Sequence, residues 1–112
     1  MNETTRAMEL ADSLREKLVQ WLPEPSRRET PVPGLALTRY DEQTSAMRCF
    51  YTPMVALVVQ GFKRSKIGDH EANYGKNHCV VVGVDMPGVF HVTEASSQAP
   101  FLSLSVRLDR RI

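Results

Sequence analysis

From Glu3 to Leu22 apolar residues return every three or four positions, and Ala7, Leu10, Ala11, Leu14, Leu18, Trp21 and Leu22 fall on one stripe of an α-helix. Pro23 and Pro25 end that pattern. Four prolines and two arginines between Pro23 and Gly34 predict an irregular connector lying over the surface. Beyond Gly34 the helical period gives way to short β-type runs separated by turn residues, the spacing of a sandwich or barrel. The predicted strands are Leu35 to Tyr40, Met54 to Gln60, Lys63 to Ile67, Glu71 to Tyr74, Cys79 to Val84, Phe90 to Glu94 and Phe101 to Leu108. Gly61, Gly68-Asp69, Gly75 and Pro87-Gly88 are the predicted turns between them. The last strand alternates most clearly: Leu102, Leu104, Val106 and Leu108 point one way, Phe101, Ser103, Ser105 and Arg107 the other. The leucine face is core; the serine face is either exposed to solvent or the lining of a polar cavity.

With 112 residues the chain has room for one core, so a single domain spanning residues 1–112 is expected. Hydrophobic residues make up 42% and charged residues 24%, which places it among ordinary globular domains and not among disordered tails. Its longest apolar runs, Met54 to Val59 and Cys79 to Val84, are far short of the about 18 residues a membrane span needs. The start, Met1 to Arg6, leads into a charged amphipathic segment with no apolar h-region, so a cytoplasmic location is expected. Cys49 and Cys79 form no Cys-x-x-Cys pair and read as two buried, reduced thiols. A net charge of +1 and a pI near 7.8 lack the basic excess of a nucleic-acid-binding domain. The clusters Arg27-Arg28, Lys63-Arg64-x-Lys66 and Arg110-Arg111 read as solvated surface.

Candidate chemistry is sparse. A barrel metalloenzyme needs alternate side chains of one strand to converge, as in His-x-His followed by Glu. His70, His78 and His91 do not supply that pattern, so no metal and no cofactor is expected. His70 falls in a predicted turn and His78 opens a strand, both as surface residues. His91 follows Pro87-Gly88, and if that pair throws the next strand back across the sheet, its ring points into the barrel, where it can both donate and accept a hydrogen bond. Gln60 closes an apolar strand and must reach solvent or a partner; pointing inward, its amide suits a hydroxyl or carbonyl of a small ligand. No catalytic triad spacing, phosphate loop, His-Glu-x-x-His or paired carboxylates are present, so no catalytic residue is expected.

The ordered segments Glu9-Leu10-Ala11, Pro33-Gly34-Leu35-Ala36-Leu37, Tyr51-Thr52-Pro53, Leu57 to Arg64, Ile67-Gly68-Asp69, Tyr74-Gly75, Val82 to Pro87, Glu94-Ala95-Ser96 and Pro100 to Leu104 together resemble the N-terminal domain of AraC-type bacterial transcription regulators. That resemblance covers nearly the whole chain. It implies a mainly β, cupin-like barrel (a double-stranded β-helix, or jelly roll) over residues 35–108, preceded by an amphipathic helix over 3–22 and a connector over 23–34. It also implies effector sensing or homodimerisation without catalysis, and a C-terminal partner domain with two helix-turn-helix units through which DNA would be bound. Two such units do not fit within this sequence, so the expectation is a piece of a longer regulator. In sugar-responsive members of the wider group a Pro-Gly-x-x-His turn and a polar residue before a strand-ending glycine line the pocket. Pro87-Gly88-Val89-Phe90-His91 and Gln60 are similar, and with Ser103 and Ser105 of the polar strand face they form the expected effector-binding set: Gln60, His91, Ser103 and Ser105. Two alternatives stay open: a small cupin-fold enzyme, such as a metal-dependent dioxygenase or isomerase, and an interaction module whose interior is filled by Met54, Phe62, Phe90 and Phe101.

Overall fold

The computed structural model describes residues 3–76 and 78–108. Helix α1 (Glu3–Trp21) is followed by β1 (Ser26–Glu29), β2 (Leu35–Tyr40), β3 (Met47–Tyr51), β4 (Met54–Gln60), β5 (Phe62–Ile67), β6 (His70–Tyr74), β7 (Cys79–Val82), β8 (Met86–Glu94) and β9 (Phe101–Arg107). The strands form two antiparallel sheets, one in the order β1-β2-β9-β4-β7 and the other β3-β8-β5-β6. This is the expected helix plus mainly β, cupin-like barrel.

The first sheet is covered on both faces. Outside it lies α1, whose Leu18 and Leu22 are fully buried against Leu37, Val59 and Leu102, with Leu14, Leu57 and Leu104 packed around them. The rest of the helical stripe is less used, since Leu10 and Trp21 remain exposed. Inside, Val58 and Phe101 meet Val92 of the second sheet, and Ala56, Val80 and Val82 pack with Tyr51. The alternation read in β9 therefore holds, with Leu102 and Leu104 outward under the helix and Phe101, Ser103 and Ser105 on the interior face. Val106 and Leu108 lie beyond the cover of α1 and are exposed.

The end of α1 depends on a residue far along the chain. Its last turn contains no basic side chain, and the terminal carbonyls have no helical partners. Arg28 of β1 donates to the Trp21 carbonyl at 3.2 Å, and the guanidinium of Arg39 of β2 donates to the Leu22 carbonyl at 2.7 Å and, through Nε and Nη2, to both oxygens of Asp41 at 2.7 and 3.2 Å. Arg39 is 8% exposed, so this fork is largely shielded from water.

Four elements depart from the sequence reading. The connector is not wholly irregular, because Ser26–Glu29 pairs with β2 as an edge strand. Met47–Tyr51 is a strand where none was predicted, with Met47, Cys49 and Tyr51 inward and Phe50 exposed. Pro87-Gly88 is not a turn but lies within β8, which starts at Met86. Proline is tolerated there because β5 pairs with β8 only from Gly88 onward, leaving Pro87 with a ladder partner, Phe50, on one side. Glycine is required at 88 because the Tyr51 ring crosses it: a Cβ there would meet that ring at 2.6 Å. Finally β7 ends at Val82, short of Val84.

Gly61 does make the turn expected of it, at φ 84°, and a Cβ there would strike the Glu94 carbonyl at 2.7 Å. Cys79 is exposed at the start of the edge strand β7, not buried as expected, while Cys49 is half-buried; both are free thiols. The pair Arg110-Arg111 and the side chain of Ala7 lie outside the described residues.

Candidate functional site

The interior between the sheets is apolar at its ends and polar in between. Register puts Thr38 of β2, Ser103 of β9 and Val58 of β4 in one row of the first sheet, and Ala36, Ser105 and Ala56 in the next. On the facing sheet Lys63 of β5 lies between Val92 and Tyr74, and Ser65 lies between Phe90 and Ala72. Because Val92 and Ser65 are buried, Lys63 shares their inward face. Its side chain runs back across β8, and Nζ lies 5.7 Å from the centre of the Phe90 ring.

These polar groups divide into two kinds. Tyr51 and Ser65 satisfy each other through a hydrogen bond of 3.3 Å between their hydroxyls. Burial pushes the Tyr51 phenol up to about 12, with the Ser65 hydrogen bond acting against the rise and the Cys49 thiol adding to it. Thr38, Ser103, Ser105 and Lys63, by contrast, make no side-chain hydrogen bond or ion pair, and none of their polar atoms is sealed from solvent. All four are half-buried. Their polar atoms stay open to solvent, so the space these four side chains face is a hollow that water reaches. Burial also holds the Lys63 ammonium below the ordinary lysine range, with Cys49 pulling weakly the other way.

An open groove of about 640 Å³ runs between β6 and β7, lined by Ile67, Gly68, His70, Tyr74, Val80 and Val82 among others. Tyr74, one of its walls, is the β6 partner of Lys63, but Lys63 itself does not line the groove.

Of the four residues expected to bind an effector, the structure brings two together. Ser103 and Ser105 are adjacent on the interior face of β9. Gln60 sits at a bulge between β4 and β9, and its amide donates to the Pro100 carbonyl at 2.9 Å, a tie between chain segments. His91 is turned the other way from what was expected. Phe90 and Val92 face inward, so His91 lies on the outer face of the second sheet, opposite Arg64 and close enough to act on Glu71. There Arg64 and Glu71 pair at 2.8 Å, and that hydrogen bond, followed by the Arg64 charge, holds the Glu71 carboxyl below its usual range. The other histidines are separate: His70 opens β6 and is not in a turn, and His78 accepts from the Gly75 backbone N–H through Nδ1 at 2.8 Å. Among the described residues no three His, Cys, Asp or Glu side chains are placed to hold a metal ion.

Lys63 was read as solvated surface and lies inside. The residues Lys63-Arg64-Ser65-Lys66 are polar on both faces, so alternation alone gives no inward side; the usable signal was Ile67, two and four positions on from Ser65 and Lys63. Phe62, which the interaction-module alternative places inside, is 41% exposed and lies against Gly75.

Comparison with known proteins agrees with this architecture. No curated protein matches the chain. Solved structures that share the fold include the cupin domain of CENP-C from Drosophila melanogaster, at 12% identity and TM-score 0.56, covering 96% of this chain and 100% of that one. Protein NMB1881 from Neisseria meningitidis is similar at 13% identity and TM-score 0.55, with 83% and 95% covered. A cupin superfamily protein from Desulfitobacterium hafniense matches at 13% identity and TM-score 0.48; the match covers 67% of this chain and 66% of that one. The family model for the AraC-type transcriptional regulator N-terminus matches residues 31–112, a span that takes in β2 to β9 and every residue lining the hollow. By that match the chain belongs to the family of AraC-type transcriptional regulator N-terminal domains.

Proposed function

We propose that this domain is the effector-sensing half of a cytoplasmic AraC-type regulator, itself without catalytic activity, and that a small molecule held between the two sheets controls DNA binding by a C-terminal domain of the parent protein. The observation that carries the reading is the set of half-buried polar groups, Thr38, Ser103, Ser105 and Lys63, left without a side-chain hydrogen bond or ion pair inside the barrel. A purely structural interior would have filled that space with side chains, as the neighbouring clusters around Val58 and Ala56 do. Ligand binding regulates only through a difference in affinity between two arrangements, and α1 is the element able to report it, since it packs on the reverse side of the strand that bears both serines.

The test is a thermal-shift screen of common metabolites against the chain and its Ser103→Leu variant, which fills the hollow. Compounds that raise the melting temperature of the first and not the second support the reading. A Ser103→Leu variant that binds every hit unchanged overturns it.

A second reading, self-association, has its own observation. The outer face of the first sheet beyond α1 carries an apolar row, Leu35, Val106, Val55 and Val81, in cross-strand register, with Val81 69% exposed. Isolated exposed valines are ordinary, but a contiguous row suits an isologous contact between two copies. Sedimentation of the chain and of Val81→Lys decides it: a dimer dissociated by the lysine supports the contact, and a monomer at high concentration removes it.

A further inference from the structure

Among the described residues, the one half-buried charge in the hollow is a cation, Lys63, with no ion-pair partner. The ionisable groups that face Lys63 are the Cys49 thiol and Tyr51 phenol of β3 and the Tyr74 phenol of β6. The facing sheet offers the hydroxyls of Thr38, Ser103 and Ser105, and Arg107 at the far end of that face is exposed. None of these is a carboxylate. Withdrawing an ammonium from water without a partner is costly, and an aromatic face offsets only part of that cost. Phe90 is therefore a partial substitute for an anion.

We propose that the ligand of this hollow is a small monocarboxylate with an apolar body. This rests on the reading of the interior as the effector pocket and names the chemistry of its occupant. The carboxylate would take the charge-assisted contact with Lys63 and accept from the facing hydroxyls, while the body lies against the half-buried ring of Phe90. Charge sets the class: one ammonium matches one negative charge. A phosphate would need the further cations or backbone N–H groups that usually hold it, and none of the residues facing the ammonium is an arginine or a second lysine. A neutral polyol could use the hydroxyls but would leave the ammonium as it is, unpaired.

The experiment uses isothermal titration of the chain with butyrate, hexanoate and phenylacetate, each beside its own primary amide, and with ribose and glucose as neutral polyols. The expected result is that at least one carboxylate binds about tenfold or more tightly than its amide, and that Lys63→Met, a variant that removes an unpaired interior charge, abolishes the preference while remaining folded by circular dichroism. Equal binding of acid and amide overturns the proposal using the unaltered chain alone, whether or not the variant folds. Binding of polyols without carboxylates also overturns it, but leaves the effector-pocket reading standing. A preference for acids that survives Lys63→Met places the carboxylate elsewhere and equally overturns it. If nothing in the panel binds while the metabolite screen finds other ligands, the carboxylate assignment fails; if both are empty, both readings fail.

Discussion

Replacing Arg39 with methionine tests how the helix is held on the barrel. The substitution keeps most of the apolar stem and removes three charge-assisted donations: one to the Leu22 carbonyl and two to Asp41. Deleting one partner of a buried ion pair costs about 3–5 kcal/mol, mostly by stranding the other charge. Here the Asp41 side chain is 23% exposed and can recover part of its hydration, so about 2 kcal/mol is the better figure for that part. The orphaned Leu22 carbonyl at the end of α1 adds about 1 kcal/mol. A loss of about 3 kcal/mol follows, which for a domain near this size lowers the melting temperature by about 12 °C. Urea unfolding measures the total, and hydrogen exchange locates it. The α1 amides should lose protection while those of β4 and β9 keep theirs at low denaturant, because Arg39 ties the helix and not the ladder. Adding Asp41→Asn should return about 1 kcal/mol by removing the stranded charge. A loss below about 1 kcal/mol, or a loss spread evenly over strands and helix, would refute the assignment of Arg39 as the clasp of α1.

Other consequences are checked more simply. Leu18→Ala empties a fully buried position between α1 and β9 and should cost about 2–5 kcal/mol in urea unfolding. Gly88→Ala drives a Cβ to 2.6 Å from the Tyr51 ring, so it should cost about 1–3 kcal/mol and, by pushing that ring out of its buried seat, move one tyrosine's ultraviolet titration back toward pH 10. The Tyr51 phenol, raised from 10.0 to about 12, contributes stability that is fully present below pH 10 and is lost as pH rises to about 12. Tyr51→Phe should therefore flatten the fall in stability across that window, as read from unfolding midpoints.

The residues that announced their structure were those with one environment per face. The α1 stripe and strand β9 were legible because apolar positions repeat at 3.6 or 2 residues there, and β4 because it is one apolar run, buried or half-buried on both faces. Strand β1 buries none of its four residues, so no hydrophobic period marks it; hydrogen bonds to β2 alone make it a strand. Strand β3 was hidden by Phe50, an apolar side chain on an outer face at 65% exposure. In β8 the pair Pro87-Gly88 imitates a turn because both residues serve sheet geometry for other reasons, a one-sided ladder and the passage of the Tyr51 ring. That misreading carried His91 with it, although its apolar neighbours Phe90 and Val92 already fixed which way the strand faced.

Strand β9 shows why half of the candidate site could still be read. Its serines were visible because the leucines between them demanded an apolar cover on the opposite face, and α1 provides it. The same alternation fixes how the proposed sensing must work. Ser103 and Ser105 face the hollow, Leu102 and Leu104 face the helix, and no residue separates the two layers other than the strand itself. A packed interface does not deform continuously, so a small displacement of β9 by an occupant is met on the other side by a change in how Leu18 and Leu22 seat. Lys63 stands outside this logic: it lies on the other sheet, in a run polar on both faces, and only the partners that β5 finds in β6 and β8 turn it inward. Its charge was readable in the sequence; its isolation from any carboxylate is a property of the closed barrel.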